Sequence, residues 1–305
     1  MTASIDWIAV DWGSTHLRTY AMQQDGQLVH EKTSAQGMGS LASEEFESAL
    51  LALIADWLPA VQEDTAAIEP MDVIACGMVG ARQGWKEAPY RSTPCRPRSD
   101  KGAISVTTLD QRIAVKILPG ICQSEPADIM RGEETQIGGL IAQEGLNQGT
   151  ICLPGTHSKW VSLADSKIQH FATYMTGEVF SLLSEHSMLR HTVTSENWDD
   201  DAFLSGVKTS IEKPEDLLSN CFRLRAKHML QGLAAARARS MLSGLIIGAE
   251  LSGANAYWQQ QTVALIGEPA LSQLYAAALE SLGVSTRIHD PKQLTLQGLT
   301  KVYQR

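Results

Sequence analysis

A chain of 305 residues with 44% apolar and 19% charged content has the make-up of a soluble globular protein and enough length for two domains of ordinary size. Its net charge of −9 disfavours a general nucleic-acid or anionic-membrane partner, and no apolar stretch approaches the length of a bilayer span. Asp6 interrupts the segment where a secretory signal would be apolar, and the five cysteines are scattered without a CxxC pair, so reduced thiols and a cytoplasmic location are expected.

The first readable element is a hairpin. Ile5 to Val10 is an apolar run, and Leu17 to Met22 is another. Between them lie Asp11, Trp12, Gly13, Ser14 and Thr15. Gly13 lets the backbone approach a ligand, and successive amides with the Ser14 and Thr15 hydroxyls can form an anion-binding nest. An acid at that place serves bound phosphates through a cation between them, and Mg²⁺ is the usual one. A third strand is expected from Leu28 to Glu31, then a helix carrying Phe46, Leu50, Ile54 and Trp57, with Ser43 as its N-cap.

A short strand from Val73 to Cys76 runs into Gly77-Met78-Val79-Gly80. The stretch from Arg82 to Lys101 loses periodicity and holds Arg82, Lys86, Arg91, Arg96, Arg98 and Lys101 against Glu87 and Asp100. A cationic loop in an acidic chain suits a small carboxylate substrate, because a guanidinium pairs with a carboxylate in bidentate fashion. After a strand from Ile113 to Leu118, Arg131-Gly132-Glu133-Glu134 opens a helix. Acids in a first turn favour the helix dipole, and a carboxylate there can also accept a substrate proton. Glu134 and Glu133 are both candidates for that base, with Asp128 a third.

The second half repeats the opening plan. Ile151 to Leu153, Pro154-Gly155-Thr156-His157-Ser158-Lys159 and Trp160-Val161 form another glycine-tipped hairpin, with a third strand from Ile168 to Met175. Lys159 can pair with a phosphate as a point charge, and His157 can hydrogen-bond one. Met241 to Ser252 reads as an apolar helix with Gly244 and Gly248 on it, suited to a close backbone or a flat ligand. It is followed by a strand from Val263 to Ile266, a turn at Gly267-Glu268 and a helix from Pro269 to Leu282.

The two hairpins resemble the phosphate loops of the actin-like ATPase superfamily, which includes sugar kinases. Longer strings, Asp11–Thr15, Ala75–Trp85, Glu87–Arg91, Met130–Gln136 and Leu153–Trp160, with Ser243–Leu251 toward the C-terminus, resemble the 2-dehydro-3-deoxygalactonokinase family. The resemblance implies an α/β, two-lobed, ribonuclease H-like fold with a central cleft. Its lobes would be residues 1–132 and 149–305, joined by an interdomain helix at 133–148. It implies ATP and Mg²⁺ as cofactors. The metal would lie on Asp11, the phosphates on Gly13, Ser14, Thr15, Gly155, Thr156, His157 and Lys159, and adenosine near Gly244, Gly248 and Gly267. The expected substrate is 2-dehydro-3-deoxy-D-galactonate, held by Arg82, Arg91 and Arg131 and phosphorylated at its 6-hydroxyl in galactonate catabolism. A small sugar acid is thus the expected partner, and a homodimer is left open. The alternatives are a phosphohydrolase or an ATP-driven conformational switch of the same fold.

Overall fold

The computed structural model describes residues 4–60, 69–97 and 100–304. In chain order the elements are β1 (Trp7–Trp12), β2 (Leu17–Met22), β3 (Leu28–Ser34), α1 (Phe46–Ile54), β4 (Met71–Gly77), β5 (Tyr90–Ser92), β6 (Ile104–Ser105), β7 (Ile113–Ile117), β8 (Gly120–Gln123), β9 (Asp128–Met130) and α2 (Glu133–Glu144). Then follow β10 (Gly149–Leu153), β11 (Ser158–Ala164), β12 (Lys167–Tyr174), α3 (Thr176–Ser181), α4 (Asp200–Glu212), α5 (Leu217–Gln231), α6 (Ala235–Gly253), α7 (Asn255–Trp258), β13 (Val263–Ile266), α8 (Pro269–Ser281), β14 (Thr286–His289) and α9 (Pro291–Tyr303). The chain divides into a first compact unit of residues 1–147, 165–169 and 291–305, and a second of residues 148–164 and 170–290.

The first sheet runs β3-β2-β1-β4-β7-β6 and the second β12-β11-β10-β13-β14. Each begins as an antiparallel meander whose first strand then pairs in parallel with a later one, β1 with β4 and β10 with β13. The same order in both sheets is the duplicated α/β plan of the actin-like ATPase fold. β1 and β4 are apolar almost throughout because their sheet is covered on both faces. Ile8, Val10 and Trp12 pack with Phe46 and Leu50 of α1, whereas Trp7 and Ala9 pack with Leu299 of α9. In the second unit Trp160, Phe203, Ile247, Leu265 and Tyr275 share a core.

The structure departs from the expected elements in three places. α1 starts at Phe46 with Glu45, not Ser43, at the cap position, and the Glu45 carboxylate accepts from the Ala42 amide at 2.7 Å. The cationic excursion contains strand β5, which joins β8 and β9 in a small sheet of its own. Finally α9, drawn from the sequence with the C-terminal lobe, lies in the first unit. It rests on α2 so closely that a Cβ on Gly139 would collide with the Leu294 carbonyl, and one on Gly298 with that of Thr135.

Candidate active site

In the first unit the hairpin tip is closed by the Gly13 amide donating to the His16 carbonyl at 2.9 Å. A second backbone segment supports it: Met38 N donates to Gly13 O at 2.9 Å and Gly39 N to Ser14 O at 3.0 Å. Ser14 and Thr15 stay exposed above, and the Thr15 hydroxyl lies 2.9 Å from His16 Nδ1. Asp11, half-buried between the buried Val10 and Trp12 of β1, stands opposite Arg18, whose Nη1 donates to Asp11 Oδ2 at 3.2 Å. Burial raises the Asp11 carboxyl pKa, Arg18 opposes that rise, and the charge of Glu133 adds to it. Asp11 and Glu133 therefore feel one another's charge, although far apart in sequence.

The two acids of α2 differ. Glu133 is half-buried, and its Oε2 accepts from Arg131 N at 2.9 Å. Glu134 is 2% exposed, and its Oε2 accepts from Gly132 N at 2.8 Å while Oε1 has no partner. It lines a pinched cavity of about 10 Å³ with Thr135, Leu118 and Gly298. Burial, with the adjacent Glu133 charge, pushes its carboxyl up to about 8. Asp128 opens β9, and its carboxylate takes the Ile129 amide at 2.7 Å.

The arginines also separate. Arg91 donates Nη1 to Arg96 O at 2.7 Å and Nη2 to Pro97 O at 2.8 Å, so its guanidinium fastens the excursion to itself. Lys86 is similarly engaged with Ser105 O at 2.8 Å. Arg82 and Arg96 are exposed, and Arg98 lies outside the described residues. Arg131 is 8% exposed, stacks over the Tyr90 ring at 4.3 Å and donates Nη2 to Ala88 O at 2.8 Å. Its Nε and Nη1 have no partner within the chain.

In the second unit Gly155, Thr156 and His157 form the hairpin tip. The start of α3 is tied to it, since Glu178 N donates to Thr156 O at 3.0 Å and His157 Nε2 lies 2.6 Å from Glu178 Oε2. Lys159, 5% exposed on β11, is a buried lysine rather than a strand residue facing water. Beside the tip is a pocket of about 270 Å³. Gly155, Thr176 and Gly177 line it together with Phe180, Trp198, Arg239, Ser243, Ile247, Leu271 and Tyr275. A largely apolar pocket with a few polar groups has the make-up of a small-molecule site. Gly267 does not line it; this glycine packs against the Pro154 carbonyl, one residue before Gly155.

Gly244 and Gly248 do not line this pocket. A Cβ on Gly244 would collide with the Phe203 carbonyl, and one on Gly248 would come within 2.6 Å of Val207 O. Both serve the close crossing of α6 and α4, so the expected adenosine contacts at these glycines are corrected to helix packing. Sequence reasoning missed the pocket wall, because Phe180, Trp198, Arg239 and Leu271 come from four separate segments with no shared motif. It also passed over Glu250, a carboxylate inside an apolar helix. That is a signal in itself, since such a group is buried only with partners.

Among the described residues no helix is long and apolar enough to cross a membrane, and no group of three or more His, Cys, Asp or Glu side chains is gathered as a metal site. The sequence pattern of the 2-keto-3-deoxy-galactonokinase family matches residues 11–302. A Rhizobium meliloti protein named a probable 2-dehydro-3-deoxygalactonokinase is 39% identical over 98% of this chain and 97% of its own length. The 2-dehydro-3-deoxygalactonokinase of Escherichia coli is 33% identical over 91% of this chain and 90% of its own length. A crystal structure from Sinorhizobium meliloti whose description carries the same kinase name superimposes with a TM-score of 0.87 at 38% identity, covering 97% of each chain. The chain belongs to the 2-keto-3-deoxy-galactonokinase family.

Proposed function

We propose that this protein transfers the γ-phosphoryl group of ATP to the 6-hydroxyl of 2-dehydro-3-deoxy-D-galactonate, in the cytoplasm. Support for the acceptor comes from relatives bearing that kinase name along nearly the whole chain. Support for the nucleotide comes from one observation above the rest: the apolar pocket lined by Phe180, Trp198 and Ile247, with Gly155 of the second hairpin in its wall. Adenosine occupies that pocket, and Gly155, Thr156 and His157 take phosphate oxygens there. Gly13, Ser14 and Thr15 of the first hairpin offer amide and hydroxyl donors to a phosphate oxygen, and Lys159 brings a charge to the second hairpin. A hydrolase or a conformational switch is not favoured, since the full-length relatives are named as kinases.

The donor set in the first unit fits Mg²⁺, which takes one or two carboxylates and completes its shell with water and phosphate oxygens. Asp11 would hold it directly or through water, a position in which a cation offsets the burial that Arg18 offsets now. Bound there, the metal supplies charge neutralisation on the transferring phosphoryl group. The remaining chemistry belongs to this chain. Glu133, half-buried and within the electrostatic reach of Asp11, receives the proton of the attacking hydroxyl. Glu134 is closed off in the interior and holds the Gly132 turn instead. Arg82 is exposed and available for the sugar-acid carboxylate, with the charge of Arg131 buried behind Tyr90, while Arg91 keeps the loop in shape.

A coupled assay with Mg·ATP and the galacto and gluco epimers of the acid tests this reading. ADP release that depends strongly on the galacto acid is expected. A rate of ATP loss that ignores the acid would replace the kinase with a hydrolase or a switch.

A further inference from the structure

Glu250 sits within an apolar stretch of α6 and is 3% exposed. Trp160 Nε1 donates to its Oε1 at 2.7 Å, the Tyr275 hydroxyl donates to its Oε2 at 2.6 Å, and the Thr176 hydroxyl donates to Oε2 as well. With the Tyr275 proton directed at Glu250, the Ser158 hydroxyl 2.9 Å away can donate to the Tyr275 oxygen, and Gly155 N lies 3.4 Å from Ser158 Oγ. One carboxylate on α6 thus reaches β11, the first residue of α3, helix α8 and, through two hydroxyls, the tip of the second hairpin. Such an arrangement is costly. Burying a carboxylate is unfavourable unless it is fully hydrogen-bonded, and an apolar core would be cheaper for stability alone. What the carboxylate achieves that an apolar group could not is a fixed geometry among three elements, two of which, through Thr176 and Tyr275, line the nucleoside pocket.

We infer that Glu250 is the positioning residue for ATP, setting the second hairpin against the nucleoside pocket without touching the nucleotide. This rests on the reading of that pocket as the nucleotide site. Kinetics that separate the two substrates test it in the full-length protein. Glu250→Gln keeps the shape but places an amide N–H₂ where the carboxylate now only accepts, so the KM for ATP should rise at least tenfold and the KM for the sugar acid should stay within twofold. Tyr275→Phe, which removes one hydroxyl from the relay, should raise the KM for ATP about threefold. Titration with a non-hydrolysable ATP analogue should weaken in parallel. Ser243→Trp, which fills the pocket, tests the underlying reading.

If Ser243→Trp raises the KM for ATP but Glu250→Gln and Tyr275→Phe leave it within twofold and only lower the thermal midpoint, Glu250 is merely structural and the inference fails alone. If Ser243→Trp also leaves ATP unaffected, the pocket is not the nucleotide site and both fall. An equal rise in the KM for the sugar acid would overturn the inference too. Should Glu250→Gln not fold, Tyr275→Phe decides.

Discussion

The two hairpins share a topology and differ in what holds them. The first rests on backbone: the carbonyls of Gly13 and Ser14 are taken by the amides of Met38 and Gly39, and Gly37 lies so near the chain at Ser14 and Thr15 that no side chain fits. The second also has a backbone support, Glu178 N on Thr156 O, and adds side chains through Ser158, Trp160, Tyr275 and Glu250. Near the first hairpin stand two acids, Asp11 paired with Arg18 and Glu133 taking the Arg131 amide, and the charge of Glu133 acts on Asp11. A side-chain support couples its loop to a neighbouring pocket. Under the proposed function the first unit carries the proton chemistry and the second the nucleotide affinity.

Substitutions can break that division. Glu133→Gln should lower kcat by roughly 10²–10⁴-fold with little change in the KM for ATP, the usual size for a lost general base. Glu134→Gln should cost far less, and the reverse ranking in steady-state kinetics would move the base to Glu134. Gly37→Ala pushes a methyl into the Thr15 backbone and should destabilise by about 1–3 kcal/mol, read as a drop in thermal midpoint accompanied by loss of kcat. A neutral result would show that the first hairpin is not held as rigidly as its backbone bonds imply. Trp198→Ala removes an aromatic wall of the pocket and should raise the KM for ATP by roughly three- to tenfold, as befits one aromatic contact of about 0.5–1.5 kcal/mol.

The smallest effect is a slope. Glu134 has its carboxyl pushed from the ordinary 4.5 up to about 8, so between those values the folded chain holds a proton that the unfolded chain has released. Stability then falls as pH rises through that window. Glu134→Gln should flatten the dependence of the thermal midpoint across it, and an unchanged slope would place its origin elsewhere.

Much of this was legible in the sequence, for physical reasons that vary by region. The hairpins could be read because strand, glycine turn and strand are local, and because Asp11 and Thr156 stand in recurring strings. The small sheet was not, since β5 has three residues and pairs with a single strand, β8, thirty positions later. The roles of Arg91 and Glu134 were open for a similar reason. Sequence shows a charge, while the carbonyls of Arg96 and Pro97, or the burial of Glu134 and its bond from the Gly132 amide, decide what it does. Gly244 and Gly248 had two readings, and only the position of α4 separated them.

The seat of α9 bears on how the molecule is made. Residues 291–303 cover α2 and stack Tyr303 on Trp7 with ring centroids 4.7 Å apart, joining the last helix to the first strand. On a ribosome the second unit has all its residues in hand by position 290, whereas the first must wait with one face bare until the final helix emerges. The half synthesised first is therefore the half finished last, and a chain cut short before 291 would expose Trp7 and the α2 glycines to any passing chaperone or protease.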